Sequence, residues 1–424
     1  MTFKVFWEKC KKHPLSRIGP GLVTGVADDD PSGIVTYSQA GAQFGLGMLW
    51  TMPLSYPLMS AIQVVCAQIG RATGKGLAAN LKENFHPAIV VGLVLLLLIA
   101  NVLNIAADIA AMGEVAQLVT GINWHLMTVL FVLISWLLLV FVPYHRYVFF
   151  LKWLTLSLLA YGAVLLTVHV HWGEVISSTL FPSIEWNAET AAMVVGVFGT
   201  TISPYLFFWQ ASQEVEDMRA HSAKPLCEEE PLIAHQEVRR IKWDTWSGML
   251  YSNLTAYFII LATALTLNVA GIKDISTAAQ AAEALRPLAG DSAYFLFAIG
   301  LLAVGLIAVP VLAGSAAYAL SETFGWESSL ESSFLQDKRF YMVITLSIFS
   351  ALVIQYSPIT PMRALIWSAI INGVAAVPLM IIILILGARR SVMGSFQPSK
   401  VVLYLGWTGV AILLFASMTM FFAS

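Results

Sequence analysis

Eleven apolar runs, each long enough to cross a bilayer as a helix, make up most of this chain. About 20 residues rising 1.5 Å each span the ~30 Å hydrocarbon core. The runs fall at approximately 18–42, 47–69, 88–118, 125–142, 148–170, 190–211, 243–268, 292–318, 340–357, 362–387 and 401–422. They predict an all-α polytopic membrane protein. The basic residues then orient it, because 20 of the 23 Lys and Arg lie in the segments that share a side with the N-terminus. Only Lys273, Arg286 and Arg363 fall on the other side. The positive-inside rule therefore predicts a cytoplasmic N-terminus, and the odd number of spans places the C-terminus outside.

One stretch breaks the pattern. Asp28-Asp29-Asp30-Pro31-Ser32-Gly33 sits in the middle of the first apolar run. A carboxylate at membrane depth costs roughly 2.5–3.5 kcal/mol on insertion scales, so acids there usually line a cavity or an ion path. Pro31 removes a helical donor and Gly33 tolerates unusual dihedrals, so the helix should break at Pro31. The local alternative is an N-cap, with Asp30 capping a helix that starts at Pro31. At about 100° per residue, Asp28, Asp29 and Asp30 cannot all point into one site while the helix is regular. Asp28 and Asp29 are left as vestibule charges, caps or partners of loose backbone.

The sixth run carries a second interruption, Gly199-Thr200-Thr201-Ile202-Ser203-Pro204-Tyr205. Five spans separate the two breaks, so spans 1–5 and 6–10 read as two repeats, and an odd number per repeat inverts the second. Matched interruptions in two halves are the best sequence pointer to a transporter's binding site. The predicted organisation is a cytoplasmic segment 1–17, repeats over 18–170 and 190–387, and an extra helix at 401–424. The breaks offer only hard oxygens: the Asp30 carboxylate, carbonyls at the unwound Thr200 turn, and the Ser203 and Ser32 hydroxyls. Neither break holds Cys or His. Such sites suit magnesium, calcium and manganese rather than softer ions.

Composition agrees and excludes other classes. Of 424 residues, 58% are hydrophobic and 11% charged, and the mean hydropathy is +0.77. The net charge of −2 offers no basic surface for nucleic acid. Three scattered cysteines, Cys10, Cys66 and Cys227, read as free thiols. No segment demands a cofactor or an obligate protein partner, and the 1–17 segment does not read as a removable signal peptide. The polar connection from Gln213 to Lys242 reads as a solvated loop. Asn372 either faces the cavity or joins helices through a hydrogen bond, and Tyr205 either contacts a coordinated water or packs.

The residues also resemble a known family, the natural resistance-associated macrophage protein (NRAMP) divalent metal transporters. Gly19-Pro20-Gly21-Leu22, Asp30-Pro31 and the run Ser38 to Gly45 are similar to that family's first helix, and Ala107-Asp108-Ile109-Ala110 to its third. The resemblance covers spans 1 to 10 and implies a five-plus-five inverted repeat with helices 1 and 6 broken at the midplane. It implies a metal site at Asp30, Gly33, Thr200 and Ser203, with Ser32, Tyr205 and Asn372 around it. Gly33 stands where the family has a metal-binding Asn, Ser203 replaces its Met, and Tyr205 its His. The family's further third-span acids appear as Asn101 and Ala111. These departures look like the NRAMP-related magnesium transporters. Asp108, with Glu114 further on, is left as a proton relay or a structural acid, Arg339 being one possible partner for Asp108.

The expected function is therefore uptake of magnesium, and manganese with it, as a partly hydrated ion with weak or no proton coupling. The alternative is a proton-coupled manganese or iron importer. A membrane enzyme using Asp-rich motifs would need a second acidic cluster and basic groups, which the spans lack. Short loops and a compact chain fit a bacterial inner membrane.

Overall fold

The computed structural model describes residues 19–142, 155–183, 185–326, 329–330, 336–354 and 358–422. The expected 1–17 segment and Cys10 lie outside them. The principal helices are α1 (Pro20–Asp28), α2 (Pro31–Phe44), α3 (Thr51–Thr73), α4 (Leu77–Asn84), α5 (Pro87–Thr120), α6 (Trp124–Phe141), α7 (Ala188–Thr201) and α8 (Pro204–Ala220). They continue as α9 (Pro231–Thr263), α10 (Ala293–Phe324), α11 (Lys338–Phe349), α12 (Pro361–Ala388) and α13 (Lys400–Phe422). Short helices such as Trp172–Leu180 and Ala278–Ala282 lie in the connections.

Both expected breaks are present. α1 stops at Asp28 because Pro31 has no N–H to continue the ladder and forces the residue before it out of helical dihedrals. Asp30 is accordingly extended, at φ −71° and ψ 170°, and its Oδ1 accepts from the Gly33 N–H. The cap and the membrane break are thus one event. The sixth span repeats the device: α7 ends at Thr201, Ser203 is extended at φ −73° and ψ 128°, and Pro204 opens α8.

Among the described residues, eight helical stretches are long and apolar enough to cross a membrane. The three other expected spans are not among those eight stretches, and spans five and nine lie partly outside the described residues. Span one is divided into α1 and α2, span five is described only from residue 155, and span nine is α11 plus Ala351–Ile354. The Gln213–Lys242 reading is corrected. α8 runs on to Ala220 and α9 begins at Pro231, so much of this connection is helix. Its charges pair between helices: Arg240 Nη2 meets the buried Glu214 Oε2 at 2.6 Å, and Arg71 and Arg240 share Glu237.

Small residues set the close crossings around the breaks. A Cβ on Gly25 of α1 would collide with the Gly248 backbone of α9, and one on Gly199 of α7 with the backbone of Ala369 and Gly373 on α12. Helices in lipid gain little from the hydrophobic effect, so backbone approach at Gly is what joins them. Around this centre pack α5, α10 and α12. Leu95, Ile99, Leu126, Leu130, Leu133 and Leu137 point outward as an apolar face that lipid would cover.

The ends of the bundle differ chemically. At one end Arg71, Arg240 and Arg389 join the connections through Glu237, Glu214 and the Asn84 carbonyl. At the other, Arg363 pairs with Asp274, Gln39 binds the Lys273 carbonyl and Gln43 bonds to Glu189. Lys273 and Arg363, two of the three basic residues set apart in the sequence, lie at this second end.

Candidate functional site

Asp30 lies at the centre of the site. Its Oδ1 takes both the Gly33 N–H and the Ser32 hydroxyl, each at 2.7 Å, while Oδ2 accepts the Asn104 amide at 2.8 Å. The positive end of the α2 dipole therefore faces one edge of the carboxylate and a neutral amide the other. Asp30 is 1% exposed.

Asn104 is the residue that sequence reasoning missed. From α5 it also reaches Asp108 Oδ2, at 3.4 Å, and its own Oδ1 accepts from Asn372 Nδ2 of α12 at 3.4 Å. Asp30 and Asp108 thus share one neutral bridge, and Asn372 is one link further out. A signal was available: Asn104 and Asp108 are four residues apart, on one face of a helix. Asn101, one turn before, binds the Leu312 carbonyl on α10 instead.

Asp28 and Asp29 form a second pair. Both are buried, and the Ser252 hydroxyl of α9 lies 2.6 Å from Asp28 Oδ2 and 3.0 Å from Asp29 Oδ1. Neither pair has an ion-pair partner among the described residues. Nor do three His, Cys, Asp or Glu side chains converge there as a ready ligand set. The buried acids are instead arranged as two twos, each bridged by one neutral side chain.

The sixth-span residues meet this centre from α7 and α8. A Cβ built on Gly33 would stand 2.9 Å from Thr200 Oγ1 and 3.4 Å from Asp30 Oδ1, so the two breaks adjoin. The Ser203 hydroxyl turns back onto its own helix end, at 3.0 Å from the Gly199 carbonyl and 2.8 Å from that of Thr200. The Tyr205 hydroxyl donates to the Ala27 carbonyl at 3.2 Å, joining α8 to the end of α1. Glu114 is elsewhere: its Oε1 accepts the Ala278 N–H at 2.8 Å, capping the short helix Ala278–Ala282. Arg339 lies over the Trp326 ring, 5.4 Å from its centroid, and makes no pair with Asp108.

An arrangement of two interrupted helices whose broken ends meet over buried carboxylates is that of a membrane carrier for a small cation. The chain belongs to the natural resistance-associated macrophage protein-like family, whose model matches residues 21–423. It is similar to a protein of Acidiphilium cryptum (strain JF-5) described as divalent metal cation transporter MntH. The two are 25% identical over 409 residues, covering 91% of this chain and 85% of that one. A Klebsiella pneumoniae protein of the same description is 24% identical over 415 residues, covering 95% and 93%. In fold the chain resembles a mutant of the Eremococcus coleocola manganese transporter, with a TM-score of 0.74 at 18% identity over 99% of this chain and 87% of that one. It also resembles Mhp1, a nucleobase-cation-symport-1 family transporter, with a TM-score of 0.59 at 14% identity over 96% and 92%. The all-helical, broken-helix transporter fold follows, and the relatives are carriers rather than enzymes.

Proposed function

We propose that this protein carries divalent metal cations by alternating access, magnesium first and manganese with it, as partly hydrated ions with weak or no proton coupling. Asp30 anchors the ion, and Gly33, Thr200 and Ser203 shape the space beside it. The observation that carries this reading is a set of buried oxygens, linked to Asp30 through Asn104 and Gly33, that have no hydrogen-bond partner. They are Asp108 Oδ1, Asn372 Oδ1 and Thr200 Oγ1. A buried acceptor left without a donor costs about 1–3 kcal/mol. Water held by a cation brings two O–H donors per molecule and supplies them. Magnesium gives up its water reluctantly, and an all-oxygen lining favours it over softer ions.

A doubly charged ion crossing 100 mV gains roughly 4.6 kcal/mol, which drives uptake without a proton. We take the basic end as cytoplasmic and the membrane as a bacterial inner membrane, with the N-terminus inside and the C-terminus outside. A second reading, a proton-coupled manganese or iron importer, is favoured by Asp108, an acid retained and buried beside Asp30. Ion flux into proteoliposomes separates them. Voltage-driven magnesium uptake that Asp30→Ala abolishes, with no internal acidification, is the expected result. Manganese uptake with acidification and no magnesium flux overturns the proposal in favour of the second reading.

A further inference from the structure

A cavity of about 510 Å³ lies at the basic end of the bundle, between α4, α8, α10 and the start of α11, and none of the residues placed around Asp30 lines it. Two helical stripes supply its polar walls. Ser212 and Glu216 are four residues apart on α8, and Tyr318 and Glu322 four apart on α10, so each pair shares a face. Glu322 Oε2 accepts the Ala78 and Ala79 N–H groups at 2.9 and 3.3 Å, capping α4, and its Oε1 takes the Ser212 hydroxyl at 3.0 Å. Glu216 Oε1 accepts the Tyr318 hydroxyl at 2.6 Å and the Leu330 N–H at 3.2 Å. Both acids are held in place by neutral donors.

Asp337 lines the same cavity and has no such donors. It is 7% exposed and stands just before α11, where an Asp ordinarily caps the helix by accepting one of its N–H groups. Its carboxylate makes no cap bond and has no partner among the described residues. A carboxylate held out of water without a counter-charge is costly. The cations of the lining do not supply one: Lys75 is bound to Glu83 at 2.6 Å, and Arg219 is exposed, with no ion pair among the described residues. Three acids against Arg219 leave two formal negative charges, the charge of one divalent cation.

We infer that this cavity is a second divalent-cation site, holding a hydrated ion through Asp337, with Glu216 and Glu322 accepting hydrogen bonds from its water. The inference rests on the reading that the protein handles divalent cations. Magnesium keeps several waters when one or two carboxylates hold it, and six waters at about 30 Å³ each occupy only about 180 Å³. Among the described residues no three acids close on one point as a ligand set for a bare ion, which is the arrangement that an ion held through its water requires. An ion there joins α8, the helix opened by the second break, to α10 and α11.

The test counts Mn²⁺ bound to the purified full-length protein in lipid nanodiscs by electron paramagnetic resonance, with Mg²⁺ as competitor. The wild type should bind two ions and Asp30→Asn one, which Mg²⁺ displaces and a further Asp337→Asn weakens about tenfold or more. If Asp30→Asn does not fold, Asp337→Asn alone carries the test by lowering the count from two to one. One ion in the wild type and none in Asp30→Asn refutes the cavity site and leaves the transport reading standing. A second ion that Asp337→Asn does not weaken refutes it equally. A count that falls in Asp337→Asn and not in Asp30→Asn upholds the cavity site and overturns Asp30 as the anchor. No bound Mn²⁺ or Mg²⁺ in the wild type overturns both.

Discussion

Replacing Gly33 by Ala puts a methyl group between the two broken helices. The new Cβ would stand 2.9 Å from Thr200 Oγ1 and 3.3 Å from Tyr37 Cε2. Ordinary contacts begin near 3.4 Å, so α2 and α7 must separate by about half an ångström or Thr200 must leave its rotamer. Overpacking of this kind costs about 1–3 kcal/mol, equal to roughly five- to 150-fold in an equilibrium constant. Thr200 Oγ1 makes no hydrogen bond that would be lost on moving, so the cost is steric. The check is a double-mutant cycle with Thr200→Ala, which removes the hydroxyl that the methyl meets. Uptake into proteoliposomes and the midpoint of thermal unfolding are read for all four proteins. Gly33→Ala alone should lower both, and adding Thr200→Ala should restore at least 1 kcal/mol of the loss as coupling, about the size expected for side chains in contact. Unchanged uptake and stability in Gly33→Ala, or a loss that Thr200→Ala leaves intact, would show that the breaks do not press on each other in the working protein.

Two further outcomes follow from the charged end of the bundle. Arg240→Ala strands Glu214, whose side chain has no solvent exposure, and should cost about 3–5 kcal/mol. Thermal unfolding should show the loss largely recovered in Arg240→Ala/Glu214→Gln, and equal instability of both variants would sink the argument. Asp244 Oδ2 accepts the Gly21 N–H at 2.7 Å, within the first turn of α1. Asp244→Asn weakens that cap by about 1 kcal/mol and should raise thiol labelling of a cysteine placed at Thr24. Labelling at the wild-type rate would mean that the cap does not hold α1 closed.

The breaks were legible because each opposes a strong local signal to a strong global one. Three acids and a proline inside an apolar run have no ordinary place in a lipid-facing helix, and the structure puts both features at the centre. Asn104 and Ser252 were harder to see. A lone Asn or Ser in a membrane helix usually joins two helices, and only the fold shows that these two each bridge a pair of buried acids. Glu214 and Arg240 were misread for a related reason. Charge was taken to mark a loop, whereas α8 and α9 extend past the apolar zone and keep their charges by pairing them. Ser203, read from the sequence as a hydroxyl at the second break, donates that hydroxyl to the Gly199 and Thr200 carbonyls at the end of α7, a local bond that only the fold reveals.

The nine residues of α1 also have a mechanical meaning. At 1.5 Å per residue they form a rod of about 13 Å, jointed at Asp29 and Asp30. A tilt of 20° about that joint would carry the far tip about 4–5 Å, more than the width of a water molecule. The rod rests on α9 through Gly25 against Gly248, backbone on backbone, with no interlocking side chains at that point to climb over. Such a contact is a bearing: it holds the rod against sideways escape and leaves rotation cheap.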